Sequence, residues 1–189
     1  MSRGKLFVIS GPSGSGKTTL YKKLLQSRTW RNRMVKVVSC TTRLPRRGER
    51  QDRDYLFVTK AEFLKRKKRD GFLESQNVFG AWYGTPKKEV LDFLSAGRDV
   101  LLCIDIKGAK AVKKIFPEAT LVFILPPSLN ALTSRLKGRS TENGEEVRRR
   151  LRIAKREMAA AKFYDYRIVN ENLAAALKRL KEIILKQNL

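Results

Sequence analysis

The chain has 189 residues, 42% hydrophobic and 8% aromatic, which suits one domain with a real core and excludes a disordered chain. It carries 42 Lys and Arg against 18 Asp and Glu, a formal charge of +24, and no His, which excludes Ser-His-Asp hydrolysis, Cys-His proteolysis and His-ligated zinc or haem. Cys40 and Cys103 lie far apart with no CxxC spacing, so neither a zinc site nor a disulfide framework is expected, and a reducing cytosol is the expected setting. No apolar stretch of about 18 residues is present to cross a membrane, and the start lacks a signal peptide's long apolar region.

In chain order, strand-like runs fall at 6–10, 35–39, 100–104, 120–125 and 167–169. Helical segments are expected at 17–27, 87–96, 108–115, 128–137, 144–162 and 173–186. Leu173, Leu177, Leu180 and Ile184 give the last of these one buried face. Runs that are apolar on both sides and rich in β-branched residues suit a parallel sheet covered on both faces, and the alternation with helices predicts an α/β domain. The segment from Ser39 to about Thr85 breaks the rhythm. It has one charged helix, 60–69, flanked by the aromatic runs Tyr55–Val58 and Phe72–Glu74, and reads as an insertion with a small sheet of its own. The segment 133–162 is dense in Arg and Lys and reads as a mobile helical arm.

Gly11-Pro12-Ser13-Gly14-Ser15-Gly16-Lys17-Thr18 fits G-x-x-x-x-G-K-[ST] without a mismatch, after a strand and at the start of a helix. Glycines let backbone N–H groups turn into one concavity, and the helix N-terminus adds partial positive charge. Lys17 reaches the β- and γ-phosphates, and the Thr18 hydroxyl can hold Mg²⁺. The loop specifies a phosphate site without saying what is done there. The N-K-x-D base reader of a GTPase is absent. Asp105, ending the third strand, is in the position for a carboxylate that supports Mg²⁺.

After the second strand comes Thr41-Thr42-Arg43-Leu44-Pro45-Arg46-Arg47-Gly48. Guanidinium forks bind phosphate oxygens bidentately, so Arg43 and Arg46 form a candidate second anion site, as a transfer between two phosphorylated substrates requires.

With these segments in view, the sequence resembles the guanylate kinases. The resemblance spans nearly the whole chain through GPSGSGKTT, SCTTRLPRRGE, DYLFV, GFLE, YGT, CIDIKGA, LKGRSTENGEE, RRRL and DYRIVN, in that order. It implies a P-loop NTPase-type parallel β-sheet core flanked by helices, with a small mixed α/β GMP-binding insertion and a helical lid. The corresponding division is core 1–37, GMP-binding subdomain 38–88, core 89–130, lid 131–161 and core 162–189.

The same resemblance implies the reaction ATP + GMP ⇌ ADP + GDP, with dGMP also accepted and Mg²⁺ accompanying ATP. Its ATP side would comprise Gly11, Ser13, Gly14, Ser15, Gly16, Lys17, Thr18, Thr19 and Arg135, with Asn170 near the adenine. On the acceptor side, Arg43, Arg46, Tyr55 and Tyr83 would grip the GMP phosphate, while Ser39, Glu74 and Thr85 would read the guanine. Thr18 and Asp105 would serve the metal. Lys17, Arg43, Arg139 and Arg150 would neutralise charge during transfer. The base chemistry agrees: guanine presents N1–H and an exocyclic amine side by side, and one carboxylate can accept from both. In one place the sequence departs from the family pattern, because Cys103 stands where many members have an acid.

The expected partners are the small-molecule substrates, in a cytoplasmic monomer or homodimer with no membrane association. The run Lys65-Arg66-Lys67-Lys68-Arg69 reads as a solvated helix face, and nucleic-acid binding is not expected as the main role. The alternatives are a related P-loop kinase for another phosphorylated acceptor, or a non-catalytic guanylate-kinase-like binding module.

Overall fold

The computed structural model describes residues 3–46, 48–78, 80–137 and 144–187; within its helices the side chains of 136–137, 144–148 and 150 are not described. Five strands, β1 (Leu6–Ser10), β2 (Met34–Lys36), β7 (Asp99–Cys103), β8 (Thr120–Leu125) and β9 (Tyr166–Val169), form a sheet in the order β2-β7-β1-β8-β9. The pairings β1–β8, β2–β7 and β8–β9 are parallel. Every residue of β1 is buried, as its uninterrupted apolar run requires. A second sheet runs β4-β3-β6-β5, with β3 at Cys40–Thr41, β4 at Leu56–Phe57, β5 at Phe72–Val78 and β6 at Ala81–Pro86. The helices are α1 (Lys17–Gln26), α2 (Arg28–Arg33), α3 (Lys60–Lys68), α4 (Lys87–Ser95), α5 (Ile106–Ile115), α6 (Leu129–Lys137), α7 (Gly144–Ala159) and α8 (Leu173–Gln187).

Two compact units divide the chain. One contains residues 33–102 and 107–119 with the first residues of the chain. Its small sheet closes on Cys40, Phe63 and Phe72, with Leu56, Val58 and Trp82 packed against them. The rings of Phe63 and Phe72 stack at 4.4 Å. α3 starts where the Thr59 hydroxyl accepts from the Glu62 N–H (3.2 Å) and is held by one buried residue, Phe63. Gly84 is required in β6 because a Cβ there would lie 2.9 Å from the Phe72 ring.

The other unit contains residues 7–32, 103–106 and 120–189. Phe7, Ile9, Leu121 and Phe123 are buried in its strands, and Leu20, Leu24, Leu180 and Ile184 in α1 and α8. The carboxylate of Asp165 accepts from the Leu121 N–H (2.8 Å) beside the start of β9.

Two elements differ from the sequence reading. The apolar run 35–39 is not one strand. β2 stops at Lys36, the Val37 N–H donates to Leu101 O (3.2 Å), and two residues later Ser39 O accepts from the Leu56 N–H (2.9 Å). The run therefore hands its hydrogen bonds from the parallel sheet to the small one, a change that hydropathy does not show. The short helix α2 was not expected from its polar sequence; only Trp30 is buried in it.

Candidate functional site: a phosphate loop and a buried carboxylate

The turn from β1 into α1 is built by glycines whose positive φ and close neighbours leave no ready space for a Cβ. Gly11 has φ +147°, and a Cβ there would lie 2.3 Å from Ile124 O. Gly16 caps α1 in the left-handed conformation, φ +92°, and a Cβ there would lie 2.2 Å from the Asn170 amide nitrogen. Lys17 arches over the loop, its Nζ donating to Gly11 O (2.5 Å) and Pro12 O (3.0 Å). Ser15 is fully buried, and its Oγ has no hydrogen-bond partner among the described residues. Ser13, Thr18 and Thr19 are exposed, and Gly14 is half-buried with φ +87°.

The same unit gathers further groups around Lys17. Asp105, half-buried, follows β7. Glu157 of α7 faces both Lys17 and Asp105: burial pushes its carboxyl pKa up, Lys17 opposes that rise and Asp105 adds to it. The Tyr164 phenol is pushed up to about 12, chiefly by burial, and faces Ser10, Asp105 and Glu157. Its ring packs edge-on against Phe123 at 4.9 Å. Glu157 escaped sequence reading. The available signal was that it is the single acid between 147 and 162, in an otherwise basic stretch.

Asn170, 5% exposed, donates from Nδ2 to Ser15 O (2.8 Å), while its own backbone N–H donates to Leu125 O (2.8 Å). Arg135 of α6 donates to Asn170 O (3.1 Å). The structure thus joins Asn170 to the phosphate loop and to one of the expected arginines. Arg139 lies outside the described residues, as does the side chain of Arg150.

The expected acceptor residues all lie in the other unit. Arg43 donates from Nε to the Tyr83 hydroxyl (3.2 Å) and from NH2 to Glu49 (3.0 Å). Burial pulls the Arg43 pKa down, but the bonds to Glu49 and Tyr83 outweigh it and hold the guanidinium above its ordinary value. Its guanidinium lies 5.4 Å from the Tyr55 ring, and Tyr55 meets Tyr83 edge-on at 5.9 Å. Arg43, Tyr55 and Tyr83 are therefore one cluster. Arg46 is not drawn into it by its side chain, which is exposed; its backbone N–H donates to Glu49 (2.8 Å). Glu49, which sequence reading passed over, ties the two arginines together.

Glu74 and Thr85 stand opposite each other on β5 and β6, and the Thr85 hydroxyl donates to Glu74 (2.7 Å). Both are buried, at 8% and 0% exposure. Ser39, at 7%, is the third buried polar residue of the expected base-reading set. A buried carboxylate is costly unless hydrogen-bonded, and the Thr85 hydroxyl supplies one such bond.

Among the described residues no group of three or more His, Cys, Asp or Glu could cage a metal ion. The hydroxyl of Thr18 and the carboxylate of Asp105 are hard oxygen donors, a sparse set that fits Mg²⁺, which keeps most of its water or takes substrate phosphates. No helix among the described residues is long and apolar enough to cross a membrane.

Comparison with known proteins supplies the family. The guanylate kinase family model matches residues 3–187. A guanylate kinase of Dechloromonas aromatica is 48% identical over 181 residues, covering 96% of this chain and 88% of that protein. One from Carboxydothermus hydrogenoformans is 42% identical over 189 residues, covering 100% and 91%. The crystal structure of guanylate kinase from Anaplasma phagocytophilum superposes with a TM-score of 0.79 at 34% identity, covering 98% of this chain and 87% of that one. A phosphate loop complete in every fixed position, a buried carboxylate in the inserted sheet and a full-length match all agree, and the chain belongs to the guanylate kinase family.

Proposed function

We propose a division of labour among these residues for the ATP:GMP phosphotransfer of a guanylate kinase. The observation that carries it is the buried Glu74, held by Thr85 in a chain of +24 charge. Ionised Glu74 accepts from guanine N1–H and the exocyclic amine, the Ser39 hydroxyl serves the remaining edge, and the Thr85 hydroxyl, donating to Glu74, holds the carboxylate in place. AMP has an acceptor at N1 and no amine at C2, so it would leave the carboxylate buried and unpaired; sites of this kind discriminate by about 10⁴-fold. Arg43, Tyr55 and Tyr83, with Arg46, hold the acceptor phosphate. dGMP is taken as well.

On the donor side, the backbone of Gly11, Ser13, Gly14, Ser15 and Gly16, with Lys17 and Thr19, cradles the ATP phosphates, and Arg135 and Asn170 support that end. Thr18 and Asp105 would hold Mg²⁺, which would supply neutralisation of phosphate charge. The acceptor phosphate oxygen attacks the γ-phosphorus in line, the bond to the bridging oxygen of ADP breaks, and GDP and ADP result. A phosphate oxygen is already a competent nucleophile, so no strong general base is needed, in keeping with a chain without His. Lys17, Arg43, Arg139 and Arg150 spread and neutralise the equatorial charge, and positioning supplies the rest. The protein works in the cytoplasm as a monomer or homodimer.

The test is ADP release with ATP and Mg²⁺, run in parallel with GMP, dGMP, AMP, CMP, UMP and no acceptor. Turnover with GMP and dGMP alone is the expected result. Equal turnover with AMP would remove Glu74 from base reading.

A further inference from the structure

The hydrogen bonds of Asn170 run to the phosphate loop and to α6. Its amide donates to Ser15 O inside the phosphate loop, its N–H is fixed on Leu125 O at the end of β8, and its carbonyl receives Arg135. A peptide group is planar and trans, so its carbonyl and the next N–H point in opposite directions. Pinning Ser15 O on Asn170 therefore aims the Gly16 N–H to the other side of the backbone, away from Asn170. The same amide fills the space that a Cβ at residue 16 would need, at 2.2 Å.

We propose that Asn170 is a positioning residue, a strut that sets the 15–16 peptide of the phosphate loop and ties it to Arg135 of α6, so that it acts on phosphate rather than on the base. It rests on the phosphotransfer reading above, but its first readout is binding and does not need turnover. Mg²⁺-tripolyphosphate, which has no base, and Mg²⁺-ATP are titrated calorimetrically into wild type, Asn170→Ala and the isosteric Asn170→Asp. The Ala change removes one buried hydrogen bond and weakens both ligands by the same factor, about tenfold. The Asp change points a carboxylate at a carbonyl and weakens both further, while GMP binding stays unchanged in each variant. A loss confined to ATP would mean that Asn170 reads the base, and would overturn the strut. A double-mutant cycle with Gly16→Ala gives a second check. The left-handed strain is common to both backgrounds and cancels, so Gly16→Ala costs at least tenfold less in the Asn170→Ala background. Strict additivity would overturn the proposal.

A separate observation concerns the surface of the inserted sheet. In the stretch 60–69 only Phe63 is buried, and Lys65, Arg66, Lys67, Lys68 and Arg69 follow one another around the end of α3. Arg66 is paired with Glu62 (2.5 Å) and Lys67 lies 4.3 Å from the Trp82 ring centre. Lys65, Lys68 and Arg69 make no ion pair among the described residues, and the nearby acid Asp70 is taken by Lys87. The helix presents no broad apolar face, since Leu64 alone is an exposed large hydrophobe there, so it does not suit insertion into a lipid surface. Its cations instead match a string of phosphates, and the face of Trp82 beside α3 is taken by Lys67.

We infer that α3 and the residues just after it form a second, sequence-independent binding surface for a nucleic-acid backbone. The probe is a labelled mixed-sequence 25-nucleotide RNA, titrated across salt concentrations against the full chain. Lys65→Gln, Lys68→Gln and Arg69→Gln combined should reduce the slope of log affinity against log salt by about 2, at about 0.7 per phosphate contact, with phosphotransfer unchanged. A control variant removes equal charge from α8 through Lys178→Gln, Lys181→Gln and Lys186→Gln and should leave the slope near wild type. Equal losses in both variants would show diffuse attraction, and tighter binding to phosphatidylserine vesicles than to RNA would show a membrane surface; either result overturns the inference.

Discussion

The phosphate loop and the Arg43–Tyr55–Tyr83 cluster, to which the proposed function assigns the two phosphorylated nucleotides, are built from different materials. The loop spans eight consecutive residues and works through backbone, left-handed glycines and one amine. The acceptor cluster works through side chains that are far apart in sequence: Arg43 bonds Tyr83 across 40 positions, and Thr85 bonds Glu74 across 11. A local device is set by steric rules within one turn, so replacing a part should break it abruptly. A dispersed device shares its task, so single losses there should be partial and selective.

The largest expected effect tests the local device. Lys17→Ala should lower kcat by about 10³-fold, the scale of losing one preorganised donor to developing charge, while GMP binding stays within twofold. Equal losses in both would contradict the separation of the two devices. Gly11→Ala should follow: a Cβ driven towards Ile124 O, at φ +147°, adds about 1–3 kcal/mol of strain, read as a lower melting temperature together with lost ATP affinity. Glu74→Gln sharpens the contrast. An amide cannot accept from two donors as a carboxylate does, so kcat/KM for GMP should fall about 100-fold with AMP little changed, the GMP/AMP ratio being the measurement. A smaller change is expected for Glu49→Gln, which loosens Arg43 and should raise the GMP KM several-fold, about 1 kcal/mol, leaving ATP alone.

The smallest effect is in alkaline stability. Cys40, in the core of the small sheet, has its thiol pushed up to about 11, mainly by burial. The unfolded chain ionises that thiol near 9 while the folded one stays protonated, so stability is full below pH 9 and declines as pH rises towards 11. Cys40→Ala should flatten the decline over that window in melts recorded from pH 8 to 11.

The fold was largely legible because its signals are local. β1 and β8 are uninterrupted apolar runs and were found at their full extent, as were the charged helix α3 and the amphipathic α8 to within a residue. The elements that were missed depend on distant partners: 35–39 changes sheets at its middle, and α2 is held by Trp30 alone. The site divided in the same way. The phosphate loop was readable as spacing, whereas the acceptor residues were named only through the family resemblance. The Arg43–Tyr55–Tyr83 cluster, the bridge made by Glu49 and the position of Glu157 beside Lys17 were not readable.

The sequence by itself determined the class of chemistry. A complete phosphate loop and the absence of His point to phosphate handling and away from His-dependent chemistry, because those properties belong to residue types and to spacing within one turn. Only the tertiary structure decided which groups meet. It buried Glu74 against Thr85, turned Arg46 outward while Arg43 turned in, and set Asn170 on the loop carbonyl 155 positions earlier in the chain. The physical reason is that a hydrogen bond or a desolvated charge is a property of two groups brought together, and the chain brings them together only when its sheets have paired.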